Sequence, residues 1–351
     1  METKTTYREL TDVENTLKLR QVLSTLPPFC KDYFRAIDAT TTTKTRISYA
    51  YDIRIFFQFL LDQNPAFKNH SLRDFTVDVL DQVKAVDIEE YQEYLKVYQN
   101  GSRQETNGER GLKRKLSSLR SFYSYYFKRE MIQTNPAALV DVPIVHEKSI
   151  IKLDADEVAL LLDYIEHCGD SLTGQKKVYY EKNKERDLAI VTLLLGTGIR
   201  VSECVGLDIE DVDFKNNGIK VTRKGGNEMV VYFGPEVEKA LKKYLEVREG
   251  ITPLAGHEHA LFYSSQRKRI GVQAIENMVK KYSRQITTTK KITPHKLRST
   301  YGTALYQETG DIYLVADVLG HKDVNTTKKH YAALDDARRR QAATAVRLRE
   351  D

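Results

Sequence analysis

Leu193-Leu194-Leu195-Gly196-Thr197-Gly198-Ile199-Arg200-Val201-Ser202-Glu203 can be read in two ways, and the choice decides the fold. As an apolar strand entering a glycine loop, it would open a dinucleotide-binding sheet, whose fingerprint needs a third glycine three residues after the second. Val201 stands there instead. The run Leu188 to Leu195 is apolar on every side and grows out of a charged helical segment, so it predicts a fully buried helix. The fold class that follows is mainly α with a small antiparallel sheet.

The flanks agree with a helical reading. Upstream, Asp154-Ala155-Asp156-Glu157 has the form of a capping box, and Val158, Leu161, Leu162 and Ile165 make one apolar stripe behind it. Residues 169 to 186 are polar and charged and are expected to be an insertion between two helices. Downstream, Ile219 to Phe233 reads as a hairpin with Gly225-Gly226 supplying the positive φ of a tight turn. Val237, Ala240, Leu241, Tyr244 and Leu245 mark one further helix, and Val272, Ile275, Val279 and Tyr282 another. Thr293-Pro294 is an N-cap followed by proline at the first helical position.

With 351 residues two domains are expected, since single cores stop growing below roughly 300 residues. Residues 8 to 26 predict a short extra helix ended by Pro27-Pro28. Tyr49, Ile53, Phe56 and Leu60 recur at helical spacing, a second helix is expected across 87 to 99, and a third from Glu109 to Arg129. The third buries Leu112, Leu116, Leu119, Tyr123 and Tyr126, and its opposite face carries Lys113, Ser117, Arg120 and Ser124. Cations and hydroxyls at that spacing suit phosphate and base-edge contact, and Arg46, off the stripe of its own helix, joins them as a candidate. The division expected is 1–29 as an extension, 30–142 as a helical domain, 143–152 as a linker, 153–335 as a second domain and 336–351 as a tail.

Composition narrows the function. Lysine and arginine outnumber acids 55 to 49, a net charge of +6 that fits a polyanionic partner. Cys30, Cys168 and Cys204 are too scattered for a disulfide framework or a zinc knuckle. The N-terminus has no apolar signal core, and no apolar run approaches the ~20 residues of a membrane span, so a soluble, cytoplasmic chain is expected. Gly169 to Gly174 has phosphate-loop spacing, but Gln175 replaces the required lysine, so ATP use is not supported. Glu210, Asp211 and Asp213 lack a histidine nearby in sequence, and no metal site is expected. His70, His146, His167, His257, His259 and His330 are read as structural.

Four phrases remain, in order: Gly196 to Glu203, Pro294-His295-Lys296-Leu297-Arg298, Leu319-Gly320-His321, and Thr326-Thr327-Lys328-Lys329-His330-Tyr331. With Lys224 at the hairpin turn, this combination resembles the tyrosine recombinases, the phage integrases and Xer proteins, over roughly residues 150 to 335 and more loosely upstream. Cleaving a phosphodiester without a metal needs a nucleophile, cations around the developing charge and an acid for the leaving oxygen. Arg200 and Arg298 are natural phosphate clamps, being planar, bidentate and always charged. The resemblance implies that Tyr331 is the nucleophile, Lys224 the general acid, His295 a proton acceptor or phosphate donor, His321 a further donor, and Glu203 a residue that orients Arg200 or His295. Arg223 is the rival to Lys224.

The resemblance further implies a helical, SAM-like core-binding domain and a mixed α/β catalytic domain closing on DNA as a C-shaped clamp. It implies double-stranded DNA sites as partner, a homotetramer on two duplexes, possible accessory DNA-bending or directionality proteins, no cofactor, and a nucleoid-associated location. The tail would dock in the neighbouring protomer. The first functional expectation is site-specific recombination serving a mobile element, in the simple architecture that the short N-terminus favours. Chromosome-dimer resolution of the Xer type is the alternative, and a non-catalytic DNA-binding accessory protein is the reading of another class.

Overall fold

The computed structural model describes residues 6–68, 70–146, 150–223, 226–321, 323–325 and 327. The chain separates into two compact units, 1–148 and 149–351, each mainly helical with one small antiparallel sheet.

In the first unit Thr6 caps α1 (Tyr7–Leu23): its hydroxyl accepts from the Glu9 N–H at 3.3 Å, and Glu9 accepts from the Thr6 N–H at 2.7 Å. There follow α2 (Cys30–Ala36), α3 (Thr43–Gln63), α4 (Val79–Gln82), α5 (Ala85–Tyr94), the hairpin β1 (Val97–Asn100) and β2 (Arg103–Thr106), α6 (Glu109–Phe127) and α7 (Pro136–Leu139). The core is aromatic: Phe56 and Phe57 of α3 and Phe122 and Tyr123 of α6 are fully buried. Rings meet edge to face, as Tyr33 does with Phe122 at 5.1 Å between centroids. Buried phenols find partners, with Tyr126 donating to the Phe29 carbonyl and Tyr33 to Ser121, both at 2.8 Å. Leu19 and Val22 of α1 lie in this same core, so the N-terminal helix is built into the bundle.

The helix expected across 87 to 99 stops at Tyr94. Val97 and Tyr98 pair instead with Thr106 and Glu105 in an antiparallel ladder turned at Gly101, whose φ is +63°. β-branched and aromatic residues beside an Asn-Gly pair favour the strand over the last turn of a helix.

The second unit runs α8 (Ala155–His167), α9 (Gly174–Thr197), α10 (Val201–Gly206), β3 (Val212–Asp213), β4 (Gly218–Thr222), β5 (Glu228–Tyr232), α11 (Pro235–Glu249), α12 (Val272–Ile286), α13 (Pro294–Thr309) and α14 (Ile312–Leu319). The sheet order is β3-β4-β5, all antiparallel, with Ile219 opposite Val231 and Val221 opposite Met229. α9 is the central helix, packed by α8, α11 and α13. Ala189, Ile190, Leu193 and Leu194 are wholly buried, as the apolar run predicts.

The polar stretch 169–186 is not a connection inserted between two helices. Most of it is the first half of α9, continuous with the apolar run. It reads as polar because its inward side is itself polar: Tyr180 donates to the carbonyls of Ile165 at 3.0 Å and Glu166 at 2.6 Å, and Arg186 pairs with Asp187. Among the described residues no helix is long and apolar enough to cross a membrane.

Candidate active site

α14 ends on Gly320, in the left-handed region at φ 61° and ψ 49°. The Gly320 N–H donates to Asp317 O at 2.7 Å and the His321 N–H to Ala316 O at 2.9 Å, the paired bonds of a Schellman turn. That turn fills two of the carbonyls a helix leaves open at its C-terminus, and those of Val318, Leu319 and Gly320 still need donors.

Arginines supply them. Arg223, just past β4, donates from Nη2 to Val318 O at 2.7 Å and from Nη1 to Leu319 O at 2.8 Å. Arg298, in the second turn of α13, donates from Nη2 to the same Leu319 carbonyl and from Nη1 to Gly198 O at 2.6 Å. Arg200, at the N-cap of α10, donates from Nη2 to Gly320 O at 3.1 Å. Cations are favoured at this pole because the C-terminal end of a helix carries the negative end of its dipole.

Glu203 is the counter-charge. Its carboxylate is almost fully buried, accepts from Arg200 Nη1 at 2.7 Å and from the Arg200 N–H at 2.8 Å, and lies 3.7 Å from Arg223 Nη1. A buried carboxylate is tolerable only with such pairing. Burial lowers the pKa of Arg223, Arg200 pushes it the same way, and Glu203 opposes them.

The structure therefore brings Arg200, Glu203 and Arg298 to one helix end, directly beside His321. Arg298 is only 3% exposed and ties α9, α13 and α14 together, whereas Arg200 keeps a third of its side chain open. His295 is exposed on the first turn of α13, three residues before Arg298 on the same side of the helix. His321 Nδ1 lies 2.7 Å from the hydroxyl of the buried Thr327, the threonine that opens the run to Tyr331. Lys224, Tyr331, His330 and the tail 336–351 lie outside the described residues.

Arg223 holds the end of α14 in a way that its place as the rival of Lys224 does not imply. It is 8% exposed and spends its guanidinium on α14, so it is a tie rather than a mobile cation. The sequence carries a signal for this: apolar Ile219 and Val221 alternate with polar Lys220 and Thr222, which puts position 223 on the inner face, where the structure has it buried.

In the first unit Lys113 and Ser117 are exposed and Ser124 is half-buried. Arg120 donates instead to the carbonyls of Ala137, at 3.0 Å, and Val140. Arg46 pairs with Asp38 and donates to Thr43 Oγ1 at 3.1 Å. The acidic loop does have a histidine beside it, since His259 Nδ1 meets Glu210, yet no group of three or more His, Cys, Asp or Glu among the described residues could hold a metal ion.

Residues 152–338 match the Phage integrase family. Along nearly the whole chain the protein is similar to tyrosine recombinase XerS of Streptococcus uberis, 30% identical over 342 residues that cover 91% of this chain and 95% of the relative. It is also similar to tyrosine recombinase XerC of Caldanaerobacter subterraneus subsp. tengcongensis, 32% identical over 339 residues covering 93% and 88%. Among solved structures, residues 82–397 of the Tn1549 transposon integrase in complex with circular intermediate DNA share the fold with a TM-score of 0.63 at 23% identity, over 89% of this chain and 98% of that one. XerH recombinase bound to difH substrate does so with a TM-score of 0.60 at 20% identity, over 86% and 78%.

Proposed function

The chain belongs to the phage integrase family and is a tyrosine-type site-specific DNA recombinase, and from that premise we propose that Tyr331 cleaves DNA inside the arginine cluster at the end of α14. The Tyr331 hydroxyl gives its proton to His295 as its oxygen bonds to the scissile phosphorus, the bond to the 5′ oxygen breaks, and Lys224 gives that oxygen its proton. Arg200 and Arg298 stabilise the charge on the phosphoryl oxygens, with His321 as a further donor. The released 5′-hydroxyl then attacks the phosphotyrosine of the partner strand, the bond from phosphorus to the tyrosine oxygen breaks and the phenol regains its proton, so the bond is exchanged without a nucleotide cofactor or a metal. One site cuts one strand, and two duplexes therefore need four protomers, with residues 336–351 docking between neighbours.

The observation that carries this reading is the convergence of Arg200, Arg298 and the Gly320-His321 turn on one helix end, with Thr327, four residues before Tyr331, bonded to His321. A phenol with an ordinary pKa near ~10 needs such a cationic setting to act as a nucleophile. The direct test is a nicked suicide duplex carrying the protein's own site. The wild-type chain should form a covalent adduct and Tyr331→Phe should bind without forming one. An adduct with that variant would sink the assignment.

As biological role we take chromosome-dimer resolution of the Xer type, supported by the similarity to XerS and XerC along the length of both chains. Integration of a mobile element is the second reading, in keeping with the match of residues 152–338 to the Phage integrase family. Sequencing DNA covalently trapped in the host separates them: a single chromosomal locus supports the first, the joined ends of an excisable element the second.

A further inference from the structure

We infer that Arg223 is a positioning residue for proton donation to the leaving 5′ oxygen, fixing Lys224 by locking the end of β4 to the end of α14; this rests on Lys224 being the general acid. Three observations carry it. The main chain of Arg223 is held from both sides of the turn, its N–H donating to Asn227 O at 2.8 Å and its carbonyl accepting from the Gly226 N–H at 3.0 Å. Its guanidinium holds the Val318 and Leu319 carbonyls, three and two residues before His321 in the chain, and faces Glu203, the partner of Arg200. The guanidinium also packs against Gly320: a Cβ there would stand 2.6 Å from Arg223 Nη1 and 2.8 Å from Cζ, so a side chain at that position would displace the guanidinium from where it now sits.

A buried arginine with its donors on helix carbonyls is not itself a proton donor to a substrate. The residue after it is linked by one peptide bond, and fixing both the main chain and the side chain of Arg223 restricts where that bond can be. A long lysine on an untethered two-strand turn would otherwise sample many positions, and proton transfer needs heavy atoms within about 3 Å. The arginine thereby links the expected acid to the same helix end that gathers Arg200 and Arg298.

Sulfur in place of the 5′ bridging oxygen tests this, because a thiolate leaves without needing a proton. In the cleavage step the phosphorus–sulfur bond breaks, the electron pair stays on sulfur, and Tyr331 forms the same phosphotyrosine. On the ordinary nicked duplex, Arg223→Met and Lys224→Ala should each slow cleavage by ~10²-fold or more, the scale of a lost general acid. On the sulfur-substituted duplex both should return to within about tenfold of the wild-type rate, whereas Arg200→Ala should stay slow on both, as a lost oxyanion donor does. Arg223→Lys keeps a charge opposite Glu203 and guards against misfolding of the methionine variant; it should be intermediate on the ordinary substrate and rescued in the same way. Rescue of Lys224→Ala without rescue of either Arg223 variant would overturn the positioning role while leaving the acid assignment standing. Failure to rescue Lys224→Ala would overturn the acid assignment and this inference together, and ordinary cleavage by Arg223→Met would overturn the inference alone.

Discussion

Gly198 closes α9 at φ +63°, and a Cβ there would come within 2.3 Å of Tyr301 Cδ1 and 2.9 Å of Leu319 Cδ2. Its carbonyl also receives Arg298. Gly198→Ala should therefore destabilise the second unit by ~1–3 kcal/mol from the backbone alone, read from a urea midpoint, and should also slow cleavage beyond what the lost stability explains. Cys204, one residue past Glu203, belongs to the same buried layer, and burial pushes its thiol from 9.0 up to about 12. The folded state holds that proton more tightly than the unfolded one, so the contribution to stability is complete below the ordinary thiol range and is lost as pH rises from about 9 to 12. Cys204 should resist iodoacetamide at pH 8.5 in the native protein and react once urea unfolds it, with peptide mapping as the readout. Alkylation at the unfolded rate under native conditions would contradict its burial.

At the scale of elements, what sequence reveals depends on how far apart the partners are. Short phrases such as Gly196 to Glu203 and Pro294 to Arg298 are legible because caps, a left-handed glycine and an i,i+3 pair act within one or two turns. The gathering of three arginines at the end of α14 is not legible, because Arg223 and Leu319 are 96 positions apart and only the fold joins them. The first half of α9 is misleading for a related reason: its inner side is a polar network, with Arg186 donating to Asp187 at 2.6 Å and to Tyr263 O at 3.0 Å, and Tyr282 donating to Asp187 at 2.9 Å. Hydrophobic periodicity cannot find a face made of paired charges. Asp187→Ala leaves Arg186 buried without its counter-charge, and should cost ~3–5 kcal/mol. Asp187→Asn, which loses the charge but still accepts and donates, should cost less, and equal midpoints for both variants in urea would show that the charge, not the hydrogen bonding, is what matters.

At the scale of the whole molecule, the net charge of +6 says that DNA attraction is plausible but not where it acts. The face Lys113, Ser117, Arg120 and Ser124, legible from spacing alone, divides once burial is known. Lys113 is exposed, while the guanidinium of Arg120 pins the carbonyls of Ala137 and Val140, and Arg46 is taken up by Asp38. Sequence pattern assigns Lys113 and Arg120 to one outer face, and Arg46 to the outer side of its own helix, because periodicity gives direction around a helix but not what lies opposite a long side chain. The two kinds of residue should separate in one experiment. Each phosphate contact contributes a slope of roughly −0.9 to log affinity against log salt, so Lys113→Ala should make the slope shallower by about one unit and leave the melting temperature of the protein unchanged. Arg120→Ala should do the reverse, lowering the melting temperature because the buried carbonyls of Ala137 and Val140 lose their donor, with the salt slope unchanged. A shallower slope for Arg120→Ala at unaltered stability would mean that its guanidinium leaves Ala137 and Val140 when DNA arrives, and the outer face would then regain the full width that its spacing suggests.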